Sequence, residues 1–404
     1  MKNPLLYCII GIFCLFFTFS DGNAQHTITQ SEIEDAIEYC FQKVDITLSN
    51  IENYNQFPRF IKDGEYFWQL YKPTGWTSGF WPGILWYAGE YSNDPKLKSA
   101  AEKFTSSLET ILDNPVKSHD LGFLFHNSYG HAYKITGNKK YRDILLLAAD
   151  SLTKLYNPNV GTILSWPAKV KDQTFSPHNT IIDNMMNLEL LFWATKETGE
   201  SSYYRIAKSH AITTLKNHIR DDSTTWHVLV YDDITGKVLD RKTHQGYSDE
   251  SLWSRGQAWA IYGFAMCYRE TGFQEFLNTA HGLAQAYLKR LPSGYIPYWD
   301  FHDPKIPHAP KDASAAAITA SAFTELAELS ENEALRKLYW DSALKMLKNL
   351  SSEKYQSRNK NAAFLLHSTG SKPGNYEVDV PIIYADYYYL EALTRAHRLF
   401  KTFN

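Results

Sequence analysis

Cysteine is scarce in this chain, with four residues in 404. Cys8 and Cys14 fall in an apolar stretch at the N-terminus, and Cys40 and Cys267 stand far apart in helical patterns. That supply excludes a disulfide framework and a cysteine-based metal motif, and predicts two buried free thiols. Charge of one sign is equally lacking. Forty-one Lys and Arg against 44 Asp and Glu leave a net charge of -3, which argues against a nucleic-acid partner and against a solvating acidic tail. Past residue 25 there is no apolar run of membrane-spanning length. There is no P-loop, no dinucleotide glycine fingerprint, no H-E-x-x-H and no G-x-S-x-G. "HDPKIPHAPKD" carries His and Asp, but proline dominates it and no metal-ligand spacing emerges. Neither metal nor cofactor is expected.

The N-terminus reads "MKNPLLYCIIGIFCLFFTFSDGNAQ". Lys2, an apolar core from Leu5 to Phe19 and the small residues before Gln25 predict a secretory leader over 1–24, cleaved after Ala24. Cys14 lacks the small residues before it that a lipoprotein site requires. The mature chain, 25–404, is therefore expected to be exported, to the periplasm or beyond, and to leave the membrane once cleaved. With no linker or low-complexity stretch, it is read as one domain, a monomer or homodimer.

What the chain has in quantity is aromatic residues, 15% of the total, and internal repetition. Five segments share one pattern: an apolar helix, a short turn with Gly or Asn, then an amphipathic helix. They are "WYAGEYSNDPKLKSAAEKF", "HAYKITGNKKYRDILLLAADSL", "LFWATKETGESSYYRIAKSHAITTL", "FAMCYRETGFQEFLNTAHGLAQAYL" and "AFTELAELSENEALRKLYWDSALKML". Gly137, Gly199 and Gly272 suit left-handed helix C-termini. Helices near residues 31–50 and 383–400 supply a sixth pair. The first helix of each pair is the more apolar, which predicts an inner ring of buried helices and an outer ring facing water. The fold class is all-α, an (α/α)6 barrel, with minor strands in the connectors. Three long connectors precede apolar helices and should gather at one mouth. One of them, "WHVLVYDDITGKVLDR", predicts a strand pair.

Polar residues at the starts of the inner helices need explaining. "HNTIIDNMMNLELLFWA" reads as a helix in which Thr180 caps and Asp183 sits in the first turn, a capping box with Asp in place of Glu. Capping leaves Asn184 and Asn187 without a reason. "HDLGF" repeats the pattern with His119 and Asp120. Two carboxyls at one apolar mouth would have their pKa values pushed apart, and one would stay protonated near neutral pH. In "HQGYSDESLWSRGQAWAIYG", His244, Gln245, Arg255 and Trp259 cluster, the last two one helical turn apart. An Arg beside an indole suits an acidic sugar, although an Arg satisfying core carbonyls is the competing reading. His227, Trp76, Trp81 and Trp299 are further candidates, each for a sugar wall or for packing.

Together "FWPG", "HDLGF", "IIDNMMNLELLFWA", "HQGYSDESLWSRGQAWAIYG" and "YWDF" resemble the unsaturated glucuronyl hydrolases, glycoside hydrolase family 88, from about Trp76 to Asp312. The resemblance implies an (α/α)6 barrel without a metal. It also implies hydration of the C4=C5 double bond that a polysaccharide lyase leaves on a uronic acid, in glycosaminoglycan or ulvan fragments. Asp183 would then be the general acid and base, with Asp120 holding substrate and tuning it. Trp76, His119, His227, Gln245, Arg255, Trp259 and, by a looser match, Trp299 would line the pocket. "HSTGSKPGNYE" offers Ser368, Ser371 and Lys372 as a sulfate reader, with the Lys one place closer than the family pattern. The alternatives are a family 105 unsaturated rhamnogalacturonyl hydrolase, an α/α-barrel polysaccharide lyase and a non-catalytic sugar-binding barrel.

Overall fold

The computed structural model describes residues 27–114, 118–167 and 175–403. The leader expected over 1–24 lies outside the described residues. Among these residues, six antiparallel helix pairs make up the body. They are α2 (Phe80–Ser92) with α3 (Pro95–Ser107), α4 (His131–Thr136) with α5 (Lys139–Thr153), and α6 (Leu188–Thr198) with α7 (Ser201–His218). Next come α8 (Ser254–Thr271) with α9 (Gln274–Leu288), then α10 (Ala313–Leu329) with α11 (Glu333–Leu350). The last pair joins the first and last described helices, α1 (Gln30–Ser49) on α12 (Ile383–Phe403).

The (α/α)6 expectation is met, and burial shows which helix of each pair is inner. Every residue from Ser254 to Cys267 of α8 and from Ala313 to Ala327 of α10 is buried, whereas α9 and α11 bury one face. Inner neighbours touch in sequence: α6 meets α8, α8 meets α10, α10 meets α12 and α12 meets α2. Small residues permit that approach. A Cβ on Gly263 of α8 would come within 2.5 Å of the Met185 Cβ. The turns follow the sequence too. Gly137, Gly199 and Gly272 have φ of 64, 78 and 64° and end α4, α6 and α8. A side chain there would meet its own backbone. Cys40 and Cys267 are free and buried.

Among the described residues, seven short strands lie in the connectors. β1 (Phe57–Phe60) pairs with β2 (Gln69–Tyr71), and β3 (Tyr156–Asn157) with β4 (Thr162–Ile163). The expected pair is present as β6 (Val228–Tyr231) and β7 (Val238–Lys242), turning at Gly236. It carries a third strand, β5 (His178–Ile181), antiparallel to β6.

That third strand corrects the reading of "HNTIIDNMM" as helix from its start. Thr180 is no cap: it sits in β5, and its hydroxyl is 2.9 Å from His218 Nε2. A 3₁₀ turn, Ile182–Asn187, follows before α6 begins. Asp183 does lie in the first turn, but no side chain caps it. The other Asp-bearing segment also departs from α-helix, since Gly122–Gly130 is π-helical.

Aromatic side chains fill the barrel axis. Phe123 meets Trp259 with ring centroids 5.3 Å apart, Trp259 meets Tyr388 at 5.3 Å, and Tyr388 meets Tyr262 at 5.8 Å. This column separates a cavity beside Asp183 from a larger one of about 660 Å3 at the other mouth.

Candidate active site

The larger cavity is walled by charges that neutralise one another. Arg269 donates to Glu189 and Glu325, and Arg395 to Glu325 and Glu391. These pairs tie α6, α8, α10 and α12 together. The smaller cavity, about 200 Å3, contains both predicted carboxyls, Asp120 and Asp183, and neither has a Lys or Arg at ion-pair distance among the described residues.

Strand β5 and β6 place Asp183. The Ile182 N–H donates to the His227 carbonyl at 3.0 Å, so the 3₁₀ turn leaves the sheet beside His227. Asp183 Oδ2 then lies 3.9 Å from His227 Nε2, beyond a hydrogen bond, and has no hydrogen-bond partner among the described residues. Burial pushes the Asp183 carboxyl up to about 7, against the pull of Arg255, with Asp120 adding to the rise. The Trp259 indole N–H also favours the ionised form, from outside regular hydrogen-bond geometry. A carboxyl balanced near neutrality can give and take a proton at ordinary pH.

The tautomer of His227 follows from its neighbours. Its Nδ1 accepts from the backbone N–H groups of His244 and Gln245 at 3.2 and 3.3 Å. An acceptor nitrogen carries no proton, so Nε2 carries it and points an N–H toward Asp183. Burial drives the His227 pKa well below its usual value, with His244 and Arg255 adding to the effect. The ring is therefore neutral.

His119 repeats the arrangement beside Asp120. Asn187 Oδ1 accepts from the Phe123 N–H at 3.1 Å, which turns its amide Nδ2 toward His119 Nδ1 at 3.2 Å. The His119 proton is thus on Nε2, 3.5 Å from Asp120 Oδ1. Ser118 donates to the other Asp120 oxygen. Asn184 donates to the Ile163 carbonyl at 3.0 Å and to Ser165 Oγ at 3.3 Å, pinning the turn to β4 and its extension. The two amides beside Asp183 thereby have a structural reason: one orients a histidine, the other fixes the turn.

Arg255 takes the role that core packing favours. Its Nη1 donates to Asp312 at 2.7 Å and to the Thr369 carbonyl at 2.5 Å, and its Nη2 to the Gly370 carbonyl at 2.6 Å. Its face packs on Trp253 at 4.6 Å. The guanidinium still lines the cavity and its charge reaches Asp183, but both terminal nitrogens already hold the 369–370 segment. Gln245 Nε2 donates to the same Gly370 carbonyl at 3.1 Å.

The structure thus brings Trp76, His119, Asp120, Asp183, Gln245 and Arg255 to one cavity, with His227 and Trp259 against Asp183. Trp299 and Trp81 are elsewhere. Both are buried, and Trp299 Nε1 donates to Asp303 at 2.6 Å. Ser368, Ser371 and Lys372 are also outside the cavity lining. Ser368 and Ser371 are buried, and Lys372 Nζ is paired with buried Asp303 at 2.5 Å over the Trp299 ring. Arg59, Trp166 and Tyr376 line the cavity without having been singled out in the sequence. They come from connectors, where no periodicity marks a side chain's direction. Among the described residues no group of three or more His, Cys, Asp or Glu is placed to hold a metal ion.

A helical toroid whose inner-helix starts present a near-neutral carboxyl beside a second Asp defines a class, and sequence comparison agrees with it. The profile of Glycosyl Hydrolase Family 88 matches residues 48–398. The chain belongs to glycosyl hydrolase family 88 and is a glycoside hydrolase. It is similar to an unsaturated glucuronyl hydrolase of Formosa agariphila, 41% identical over 407 residues, covering 98% of this chain and 99% of that relative. A solved unsaturated glucuronyl hydrolase described as specific for heparin superposes with a TM-score of 0.87 at 39% identity, covering 92% and 99% of the two chains. A variant of the Streptococcus agalactiae enzyme, solved with dGlcA-GalNAc6S, superposes with a TM-score of 0.79 at 33% identity, covering 92% and 93%.

Proposed function

We propose that this chain releases the 4,5-unsaturated uronic acid from the non-reducing end of lyase-generated oligosaccharides of the glycosaminoglycan type, by hydrating the double bond. The observation that carries the reading is the Asp183 carboxyl, pushed by burial to about 7 and unpartnered at Oδ2 among the described residues. Protonated Asp183 gives its proton to C4 of the enol ether, and positive charge develops at C5 and the ring oxygen. The Asp183 carboxylate so formed takes a proton from water as the water oxygen bonds to C5. The hemiketal at C5 then opens, the ring is lost, and the exposed C1 hemiacetal releases the aglycone alcohol. One water is consumed, and Asp183 ends as it began.

The usual glycosidases divide acid and nucleophile between two carboxyls across the anomeric bond. Here one carboxyl serves both steps. Asp120, held by Ser118 and facing the His119 N–H, is assigned to a substrate hydroxyl and to keeping the Asp183 pKa high. The His227 Nε2–H steadies the carboxylate between the two proton transfers, and Trp76 gives the sugar a flat wall. The first 24 residues are assigned to export, so the enzyme would meet fragments outside the cytoplasm.

The test is optical. Unsaturated chondroitin or heparin disaccharides are incubated with the protein, and the ultraviolet absorbance of the conjugated bond is followed. Loss is expected, and Asp183→Asn should remove it. A gain of absorbance on intact polysaccharide would mean lyase chemistry and would overturn the reading.

A further inference from the structure

One strand of the β1–β2 hairpin carries an extra residue. Pro58 pairs with Leu70 and Phe60 with Gln69, which leaves Arg59 as the unpaired residue of a bulge. Bulges beside active sites re-aim a side chain, and Arg59 lines the cavity that holds Asp183. Its guanidinium lies on the Tyr71 ring, 4.4 Å from the centroid, and Nε donates to Glu377 Oε1 at 2.6 Å. Glu377 is itself fixed. It is buried, its φ is 53°, and Gly370 stands so close that a Cβ would lie 2.6 Å from Glu377 Oε2. A non-glycine residue in the left-handed region is held there by its surroundings.

Arg59 is therefore gripped at Nε and on one face. Its other two nitrogens, Nη1 and Nη2, have no hydrogen-bond partner among the described residues. Arg255 is the opposite case, with both of its terminal nitrogens engaged by Asp312 and backbone carbonyls. Of the two guanidiniums in the cavity, one holds the wall and the other is presented to whatever enters.

We propose that Arg59 is the anion-recognition residue of this site, its two Nη groups taking a pair of oxygens from a carboxylate or sulfate of the oligosaccharide. The identity of that saccharide rests on the function proposed above. The fork of a guanidinium matches such an oxygen pair, and a prepositioned one loses little freedom on binding. The cavity also favours such a group, because an anionic sugar must approach Asp120 and, when it is ionised, Asp183.

The experiment compares Arg59→Gln and Arg59→Lys, each alone and in the Asp183→Asn background. The probes are unsaturated chondroitin disaccharide and its 6-sulfated counterpart. Steady-state kinetics give kcat and KM, and calorimetry in the Asp183→Asn background gives Kd without turnover. Arg59→Gln is expected to raise KM and Kd by about tenfold or more, ~1.4 kcal/mol, with kcat within about twofold and partial recovery in Arg59→Lys. Equal loss on both sugars assigns the uronate carboxylate, and loss on the sulfated sugar alone assigns sulfate. Unchanged Kd on both, or a fall in kcat at constant KM, overturns the proposal. If the parent enzyme consumed neither sugar, the function proposed above would fail, while the calorimetric comparison would still decide the role of Arg59.

Discussion

His227 Nε2 faces Asp183 Oδ2 across 3.9 Å, and it faces it as an N–H, because Nδ1 already accepts from two backbone N–H groups. A neutral donor near a carboxyl stabilises its ionised form without adding a full charge. Removing the donor in His227→Ala should raise the Asp183 pKa. The alkaline limb of the kcat/KM profile should then move to higher pH, while kcat falls on the order of 10–100-fold. A limb that moves to lower pH would contradict the assigned tautomer.

Asp183 also links activity and stability to pH. The acid form needed for the first step is present below about 7 and lost above it. The rate should therefore decline as pH rises through that value. The stability effect has a defined sign. The folded pKa lies above the ordinary value of 3.8, so the folded state binds more protons and loses stability as pH rises through this window. Asp183→Asn escapes that loss. Its Tm, relative to the parent, should climb between pH 4 and pH 7 and then level off. A constant Tm difference across the range would show that burial does not perturb this carboxyl.

Gly122 sits where the two Asp-bearing segments touch. A Cβ at this position would lie 2.5 Å from Asn187 Cα, a backbone atom that cannot turn aside. Gly122→Ala should force the π-helical segment away from the 3₁₀ turn and break the Asn187 bonds to Phe123 and His119. We expect about 2–4 kcal/mol of lost stability in a urea melt, since a forced overlap adds to unpaired buried polar groups. Activity at a temperature where the variant stays folded should fall by more than the folded fraction does.

Asp312 anchors Arg255 in full burial, with side-chain exposures of 0% and 1%. Asp312→Ala leaves an uncompensated buried cation, a change that costs about 3–5 kcal/mol. The 369–370 segment should loosen with it, because its carbonyls are held by the same guanidinium. Hydrogen exchange across that segment should rise in the variant. Unchanged protection there would mean that other contacts hold it.

Lys372 is occupied by buried Asp303. Lys372→Ala should destabilise the fold by leaving Asp303 without a counter-charge, with only the Trp299 and Lys305 N–H groups to satisfy it, yet keep the ratio of rates on sulfated and unsulfated disaccharides. A selective loss on the sulfated sugar would make Lys372 a sulfate reader.

The toroid was legible because its information is local. Apolar periodicity set the inner helices, and Gly137, Gly199 and Gly272 marked their ends. The strand at His178–Ile181 was not, because it exists through pairing with Val228–Tyr231 some fifty residues on. Within its own window it reads as the start of an apolar helix. Thr180 misled for a related reason: its hydroxyl has a distant partner, His218, in place of the nearby backbone. Asp183 and Asp120 were found because they break an apolar pattern. Arg59 breaks none, and its aim depends on a bulge that only the β1–β2 register reveals. The two readings of Arg255 could not be separated without Thr369, Gly370 and Asp312 in place.

The column of Phe123, Trp259, Tyr388 and Tyr262 has a bearing on how long substrates are consumed. With the axis stoppered, the cleft is a cul-de-sac. No polymer can be threaded through it, so on the function proposed above the unsaturated end would enter first and the liberated uronic acid would leave after the remaining chain. Each cut would then end an encounter, and the enzyme would act as a distributive trimmer of chain ends. The new end that it exposes lacks the double bond, and a lyase must act again before the trimmer can return.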